Sequence, residues 1–268
     1  MKGVGFFGAG NMGEAMIRGI LAAKLVPPRG VHVLDVRAAR VRELARRYGV
    51  TPADGAPALL AACETIVVAV KPKDVPAAVE ALGRGPVKGK LVVSIAAGVP
   101  TAVLLNALGK GVSVVRAMPN TPAQVGMGST GLYFAPGVPE ARKETARRIF
   151  SSFGTVAEFP REELLDAVTA LSGSGPAFAF LFIEALADGA VRAGMGREEA
   201  LRLAASTVEG AGRMVRETAR HPGELKDMVT SPGGTTAAGL AALEARAFRG
   251  TVMAAVYAAW QRCREISK

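Results

Sequence analysis

The sequence predicts an α/β fold, in which an N-terminal doubly wound sheet is followed by an all-helical C-terminal domain. Three observations support this prediction. The first half of the 268 residues alternates short β-branched runs with helical patterns, as βαβ units in a parallel sheet do. A glycine-rich turn follows the first run, and strand patterns stop after Pro160. Half of the residues are hydrophobic, so the chain can bury a core in each of two domains.

The N-terminal elements come in the order that a doubly wound sheet requires. A strand is predicted at Val4–Phe7, a helix after the glycine turn, and a second strand at Val31–Leu34. A basic helix and a short Ala/Leu-rich segment lead to an apolar strand at 65–70. Further strands are predicted at 91–95, 112–116, 131–134 and 155–159. We therefore assign residues 1–160 to the first domain.

Beyond Pro160 the patterns predict only helices, at 162–171, 176–193, 198–216, 224–229 and 236–267. Several of these helices are apolar nearly all round, and such helices need burial on more than one face. We therefore assign residues 161–268 to a helical domain that also packs against another subunit.

Composition and charge indicate which classes of partner the chain can bind. The formal charge is +10, but the basic residues lie in helical patterns and only 5% of residues are aromatic, so no nucleic-acid partner is predicted. The charge can still attract anionic ligands, including a phosphorylated cofactor. The uncharged stretch 167–183 is broken by a Ser-Gly-Ser-Gly-Pro run, so no membrane span is predicted. Cys63 and Cys263 have no metal-ligand spacing, and no secretory signal is recognised, so we expect no metal site and a cytoplasmic location.

The glycine turn is Gly8-Ala9-Gly10-Asn11-Met12-Gly13, which matches the dinucleotide fingerprint of the Rossmann fold. It lies between a first strand and a first helix, where that function requires it. Gly8 takes the tight turn, Gly10 lets the backbone approach the pyrophosphate, and Gly13 allows close packing of helix on strand. The first helix supplies amide donors for the phosphates from Asn11 onward.

Two residue types at the end of the second strand bear on the cofactor. Asp35 is placed to accept a hydrogen bond from the ribose 2′-hydroxyl of NAD. Arg37 and Arg40 follow closely, and an arginine here can hold the 2′-phosphate of NADP or simply be solvated at a helix start. The residues themselves leave both cofactors open.

A second unusual segment, at residues 227–236, ends in Ser231-Pro232-Gly233-Gly234-Thr235-Thr236 just before a helix. Backbone amides exposed at such a helix N-terminus bind a carboxylate as readily as a phosphate. Hydroxyl side chains can instead cap the helix, and both interpretations stay open locally. The segment Ser172-Gly173-Ser174-Gly175-Pro176 carries the same ambiguity.

Five motifs in register resemble those of the pyrroline-5-carboxylate reductases, and the resemblance covers essentially the whole chain. The motifs are Phe7-Gly8-Ala9-Gly10-Asn11-Met12-Gly13, Ala69-Val70-Lys71-Pro72, Met118-Pro119-Asn120-Thr121-Pro122, Ser172-Gly173-Ser174-Gly175-Pro176-Ala177-Phe178 and Ser231-Pro232-Gly233-Gly234-Thr235-Thr236. The last of these is distinctive of the family.

The resemblance implies reduction of L-1-pyrroline-5-carboxylate to L-proline, the last step of proline biosynthesis, with NADP(H) favoured and NAD(H) left open. It implies that Ser231, Gly233, Gly234 and Thr235 hold the substrate carboxylate and that the Thr236 hydroxyl bonds the imine nitrogen, which makes Thr236 the leading catalytic candidate. The cofactor-binding set that it implies adds Ala69, Val70, Lys71, Pro72, Asn120 and Thr121, although a solvated lysine explains Lys71 equally well. A homodimer is expected, with a pentamer of dimers as a larger assembly.

The residues fit this chemistry, because a protonated cyclic imine accepts hydride without a strong general acid. Only two histidines occur, His32 and His221, and neither lies near a site motif. The nearest rival class is the 3-hydroxyacid dehydrogenases, which use a lysine after a similar glycine-rich helix entry. Residues 173–184 contain no lysine, and Ala179 stands near its place. A non-enzymatic dinucleotide-binding protein would leave the 231–236 motif unexplained.

Overall fold

The computed structural model describes residues 2–266. Its N-terminal part contains one eight-stranded sheet, in the order β3-β2-β1-β4-β5-β6-β7-β8, in which only the β6–β7 pair is antiparallel. The strands are β1 (Val4–Phe7), β2 (Val31–Leu34), β3 (Thr51–Pro52), β4 (Thr65–Val68), β5 (Leu91–Ser94), β6 (Ser113–Met118), β7 (Gly128–Phe134) and β8 (Gly154–Glu158). The order 3-2-1-4-5-6 is that of dinucleotide-binding doubly wound sheets, so the predicted fold class is confirmed.

Twelve α-helices occur in the described residues. They are α1 (Asn11–Ala22), α2 (Ala38–Tyr48), α3 (Gly55–Ala62), α4 (Val75–Gly83), α5 (Thr101–Leu108), α6 (Glu140–Ser151), α7 (Leu164–Val168), α8 (Gly175–Arg192), α9 (Arg197–Thr218), α10 (Pro222–Met228), α11 (Thr235–Glu244) and α12 (Phe248–Ile266). Short 3₁₀ segments lie before β2 at Pro28–Gly30, before α4 at Pro72–Asp74 and between β6 and β7 at Thr121–Val125, and a π-helical segment follows α7 at Thr169–Gly173.

Each face of the sheet is covered by an apolar layer. One layer joins β1 and β2 to α1 and α6 through residues such as Phe6, Ile17 and Phe150. The other joins β4 and β5 to α3, α4 and α5, with Ile66 and Leu82 fully buried. Strands β4 and β5 are buried along their whole length, as expected for the centre of a parallel sheet. This scaffold holds the carboxyl ends of β1 and β4 side by side.

Within the described residues, contacts divide the chain into two compact units, residues 2–174 with 259–266 and residues 175–258. This division by contacts falls after Ser174 because α7 packs on the sheet, where Leu165 and Val168 lie against Gly131. A charged cluster strengthens this attachment. Arg116 on β6, only 6% exposed, is paired with Glu162 at 3.3 Å and Asp166 at 3.2 Å.

The unit at 175–258 consists of helices and has a small core. Helices α8 and α9 pack together through Ala187, Ala200 and Ala204. Many large apolar side chains of this unit are exposed, among them Phe180 and Leu181. The helical stretch Leu164–Arg192 is long and apolar enough to cross a membrane by length and composition, a test that core helices of soluble proteins also pass.

Two helix predictions are wrong in detail. The single helix predicted at 236–267 is two helices, α11 and α12, because Ala247 between them adopts a left-handed conformation with φ of 51°. Its last residue, Ser267, lies outside the described residues. The helix predicted at 162–171 is the short α7 followed by the π-helical segment. The sequence also did not predict β3, which is only two residues long.

Candidate dinucleotide and substrate sites

The glycine turn places its backbone against the end of β4. Gly8 has a φ of +95°, and its amide donates to the Leu34 carbonyl at 2.7 Å. A Cβ added at Gly8 would lie 2.7 Å from the Ala69 carbonyl oxygen, and one added at Gly13 would lie 3.2 Å from the Gly8 carbonyl oxygen. The positive φ of Gly8 and the Ala69 carbonyl require glycine at this position, whereas a side chain at Gly13 would need the Gly8 carbonyl to shift by a few tenths of an ångström.

The N-terminus of α1 is open. Gly10 is the N-cap, and among the described residues no side chain caps the helix. A Cβ added at Gly10 would have no neighbour within 4 Å, so the space over the turn is free. The amides of Asn11, Met12 and Gly13 lie in the uncapped first turn, which is an arrangement that binds anions such as a pyrophosphate. The residues present therefore fit a dinucleotide.

The carboxylate of Asp35 lies against the glycine turn and contacts its backbone. It accepts hydrogen bonds from the Ala9 amide at 2.8 Å and from the Arg37 amide and Nε at 2.9 and 3.2 Å. Burial acts to raise the pKa of Asp35, but the hydrogen bonds from Arg37 and Ala9 outweigh it and hold the pKa below its usual value. The structure therefore gives Asp35 protein partners in the position where the sequence predicted a contact with ribose.

The two arginines that follow differ in availability. The side chain of Arg37 is 62% exposed. Arg40 is 14% exposed, and its guanidinium donates to the Ala9 carbonyl at 2.9 Å, to Glu14 and to Glu43. Arg37 can therefore meet a ligand at this edge, whereas Arg40 is committed to protein acceptors.

A cleft of about 350 Å³ opens beside the turn, between the ends of β1, β2 and β4 and the start of α4. It contains Gly8, Asp35 and Val70 of the predicted set. Five further residues line the cleft that were not predicted as site residues, namely Phe7, Val36, Asp74, Ala77 and Ala78. Among them, Val36 is an apolar residue whose side chain is fully exposed. This exposure could be learned only from the structure.

Residues after β4 and β6 continue this edge of the sheet. Ala69 lies beside the turn, its amide bonded to the Phe7 carbonyl at 2.8 Å, while Lys71 and Pro72 are exposed at the following 3₁₀ segment. Thr121 is exposed at the start of the segment Thr121–Val125, which packs against α1.

The side chain of Asn120 is used inside the protein. It is buried, its Nδ2 donates to the Ser172 carbonyl at 2.9 Å, and its Oδ1 accepts from the Ser129 amide at 2.8 Å. Asn120 thus ties the loop after β6 to β7 and to the Ser172 segment. This geometry gives its side chain a supporting role at the predicted nicotinamide end.

The motif at 231–236 forms a turn at the start of α11. Gly233 has a φ of +67°, and the Gly234 amide donates to the Ser231 carbonyl at 3.1 Å. Gly234 is the N-cap, and within the described residues no side chain caps α11. The capping interpretation of the hydroxyls is therefore wrong for this helix. Ser231, Gly233 and Thr235 are exposed, and Thr236 is half-buried in the first turn.

One of the two histidines caps a helix, and the other lies in a strand. His221 caps α10 by accepting from the Gly223 amide, and His32 lies within β2, where burial lowers its pKa. Residues 2–266 contain no group of three or more His, Cys, Asp or Glu side chains that could hold a metal ion.

Comparison with known proteins identifies the family. A family model described as pyrroline-5-carboxylate reductase dimerisation matches residues 162–266, and one described as coenzyme F420-dependent NADP oxidoreductase matches residues 3–98. The chain is 45% identical to the pyrroline-5-carboxylate reductase of Methanosarcina acetivorans over 268 residues, which cover 99% of this chain and 98% of that one. The chain belongs to the pyrroline-5-carboxylate reductase family.

Solved pyrroline-5-carboxylate reductases have the same fold. The enzyme from Coxiella burnetii matches with a TM-score of 0.94 at 34% identity, over 100% of this chain and 99% of that one. The Plasmodium falciparum pyrroline carboxylate reductase, solved with NADP bound, matches with a TM-score of 0.88 at 33% identity, over 99% and 98%. The predicted family and the enzyme class, an oxidoreductase acting on CH–NH groups, are confirmed. The two alternatives, a 3-hydroxyacid dehydrogenase and a non-enzymatic dinucleotide-binding protein, are therefore rejected.

Proposed function

We propose that this pyrroline-5-carboxylate reductase reduces L-1-pyrroline-5-carboxylate to L-proline and that the residues predicted from its motifs form the two binding sites. One observation carries the proposal. Both predicted ligand turns, at α1 and at α11, are glycine-bounded helix N-termini that no side chain of the described residues caps. A pyrophosphate and a carboxylate are the anions that such termini bind.

The cofactor turn would hold the pyrophosphate on the amides of Asn11, Met12 and Gly13. The bound nicotinamide cofactor supplies the hydride. Ala69 and Val70 would line its path along the sheet edge, with Lys71, Pro72 and Thr121 at the exposed rim. Asn120 would keep this rim in place through its bonds to Ser129 and Ser172.

The α11 turn would hold the substrate carboxylate. The amides of Gly233 and Thr235 lie at the positive end of a ten-residue helix, and the exposed Ser231 hydroxyl can add a further donor. The Gly234 amide, which the motif also predicted as a ligand, donates to the Ser231 carbonyl and instead holds the turn in shape. The left-handed Gly233 and the extended Gly234 direct the chain into the helix without a side chain over the amides. A carboxylate can therefore approach closely.

Thr236 would hydrogen-bond the imine nitrogen from the first turn of α11. A protonated cyclic imine accepts hydride at carbon, so the enzyme's task is to orient the ring and stabilise the changing charge at nitrogen. A hydroxyl serves this role because it both donates and accepts.

We further propose that NADPH is preferred and that NADH is also accepted. The exposed guanidinium of Arg37 is placed to meet a 2′-phosphate. Asp35 carries a negative charge nearby, but Arg37 and the Ala9 amide balance it, which reduces repulsion of that phosphate. The relative from Plasmodium falciparum, solved with NADP, supports the same preference.

The helical unit supports self-association. Its exposed apolar side chains and its match to a dimerisation family favour a homodimer. Assembly of five such dimers, a cytoplasmic location, and the absence of membrane and nucleic-acid partners complete the proposal.

Substitution of Thr236 tests the catalytic assignment. Thr236→Ala is expected to lower kcat on pyrroline-5-carboxylate by about 10- to 1000-fold, because a hydrogen bond to a developing charge is lost. The KM for the cofactor should change little. Steady-state kinetics with both substrates varied measure the two effects.

Two controls accompany this variant. Thr236→Ser keeps the hydroxyl and is expected to retain most of the activity. Thr207→Ala removes an exposed hydroxyl that bonds within α9, and it should behave as wild type. Wild-type turnover in Thr236→Ala would refute the role of Thr236.

A further inference from the structure

The amide and the carbonyl of Ala9, in the glycine turn, each have a side-chain hydrogen-bond partner. The Ala9 amide donates to Asp35 Oδ2 at 2.8 Å, and the Ala9 carbonyl accepts from Arg40 Nε at 2.9 Å. These partners come from the end of β2 and from α2. Side chains distant in sequence thus fix the one non-glycine residue between Gly8 and Gly10.

Arg40 is itself held rigidly. Its Nη2 donates to Glu14 in the first turn of α1, and its Nη1 donates to Glu43 at 2.9 Å. Glu14 also accepts from Tyr48 at 2.7 Å and from Arg47 at 3.0 Å. Burial acts to raise the pKa of Glu14, yet the hydrogen bonds from Arg40 and Tyr48 hold it below its usual value. Glu14 is therefore a charged anchor for the guanidinium.

We propose that Arg40 and Asp35 are positioning residues that fix the Ala9 peptide groups and so preset the amides of α1 for the cofactor pyrophosphate. The inference rests on the dinucleotide binding in the proposed function. Two glycines make the turn permissive, and the space where a side chain of Gly10 would lie is empty to 4 Å, so no packing contact restrains the turn on that side. A turn fixed before binding loses less conformational freedom when the pyrophosphate arrives.

The same contacts argue against a direct role for Arg40 with a 2′-phosphate. Its Nε, Nη1 and Nη2 all donate to protein acceptors, and the side chain is 14% exposed. Because the guanidinium fork is planar, its Nε can reach Ala9 while Nη2 reaches Glu14, whereas a single ammonium cannot take both positions. The geometry therefore requires arginine and not merely a positive charge.

The test is the dissociation constant for NADPH, measured by calorimetric titration of the full-length enzyme without substrate. Arg40→Ala is expected to raise this constant by about 10-fold, the effect of losing one charge-assisted hydrogen bond that orders the turn. Arg40→Lys should raise it by about 5-fold, because the charge stays but the bond to Ala9 is lost. Arg42→Ala, which removes an exposed charge from the same helix, should stay within about 2-fold.

A second measurement separates positioning from general destabilisation. In steady state, the loss in the Arg40 variants should appear in the KM for NADPH, while the KM for pyrroline-5-carboxylate at saturating cofactor changes by less than about 2-fold. If Arg40→Ala does not fold, Arg40→Lys carries the test alone.

Three results would overturn the proposal. They are an unchanged NADPH constant in both Arg40 variants, an equal loss in Arg42→Ala, and full rescue by lysine, which would leave only a charge effect. A wild-type enzyme that binds NADPH but does not reduce pyrroline-5-carboxylate would contradict the proposed function and leave the positioning role standing.

Discussion

The Asp35 carboxylate accepts three hydrogen bonds, and these bonds make the stability of the folded chain depend on pH. The Ala9 amide and both donors of Arg37 favour the charged form and outweigh burial, so the folded pKa lies below that of the unfolded chain. A carboxylate of this kind stabilises the folded state above its unfolded pKa. That stabilisation is lost as the pH falls through the folded pKa.

Asp35→Asn tests this linkage. At pH 7 the variant is expected to lower the free energy of unfolding by about 1 to 2 kcal/mol, because charge-assisted bonds become neutral or are lost. The difference from wild type should shrink as the pH falls below 3.8, the ordinary value for this carboxyl. Denaturant unfolding at fixed protein concentration across pH measures it, with the exposed Asp54→Asn as control. A difference that does not vary with pH would contradict this linkage.

Two buried hydroxyls, on Thr65 and Thr130, have no hydrogen-bond partner among the described residues. Thr65→Val removes an unsatisfied group at the centre of the sheet and is expected to raise the free energy of unfolding by about 1 kcal/mol. Thr101→Val is the matched variant, because the Thr101 hydroxyl donates to Glu162 at 2.8 Å. It should lower stability by about 1 to 3 kcal/mol. Thermal and denaturant unfolding compare the two, and destabilisation by Thr65→Val would refute the assignment.

Among the secondary-structure elements, strands were predicted most accurately where a short apolar run is bounded by turn residues. The predicted bounds of β1 and β2 match the structure, because apolar runs beside turn residues define them. Strand β3 has two residues and is too short for any periodicity. The break before α12 carries no Gly or Pro signal, because residues 245–247 read Ala-Arg-Ala.

In the candidate site, too, some features follow from local sequence and others depend on contacts between distant residues. The glycine turn and the place of Asp35 follow from local sequence and strand order. The contacts of Asp35 and Arg40 with Ala9 join residues 26 and 31 positions apart, and only the folded sheet brings them together. For the same reason the sequence could not reveal that Asn120 bonds Ser129 and Ser172.

Ala247→Gly tests the physical cause of the helix break. A non-glycine residue at a φ of 51° is strained, so glycine is expected to raise stability by about 1 kcal/mol. Ala238→Gly, at an exposed interior position of α11, should lower it by a similar amount. Melting temperatures at one protein concentration measure both. Equal destabilisation by the two substitutions would contradict the strain at Ala247.

On the scale of the whole molecule, the two units differ in how they are stabilised. The sheet unit buries two large apolar layers, whereas the helical unit has a buried cluster of Ala187, Ala200 and Ala204 with large apolar side chains exposed. Burial of those side chains between subunits would stabilise the helical unit and make stability depend on protein concentration. This agrees with a dimerisation family model over residues 162–266.

We propose that one reductase chain carries both a dinucleotide-binding turn near its N-terminus and a carboxylate-binding turn near its C-terminus. The most direct measurement is a steady-state assay of L-1-pyrroline-5-carboxylate with NADPH and NADH side by side, with proline quantified as the product. We expect the cofactor to be oxidised in proportion to the proline formed, and faster with NADPH at low cofactor concentration. Oxidation of neither cofactor would contradict it.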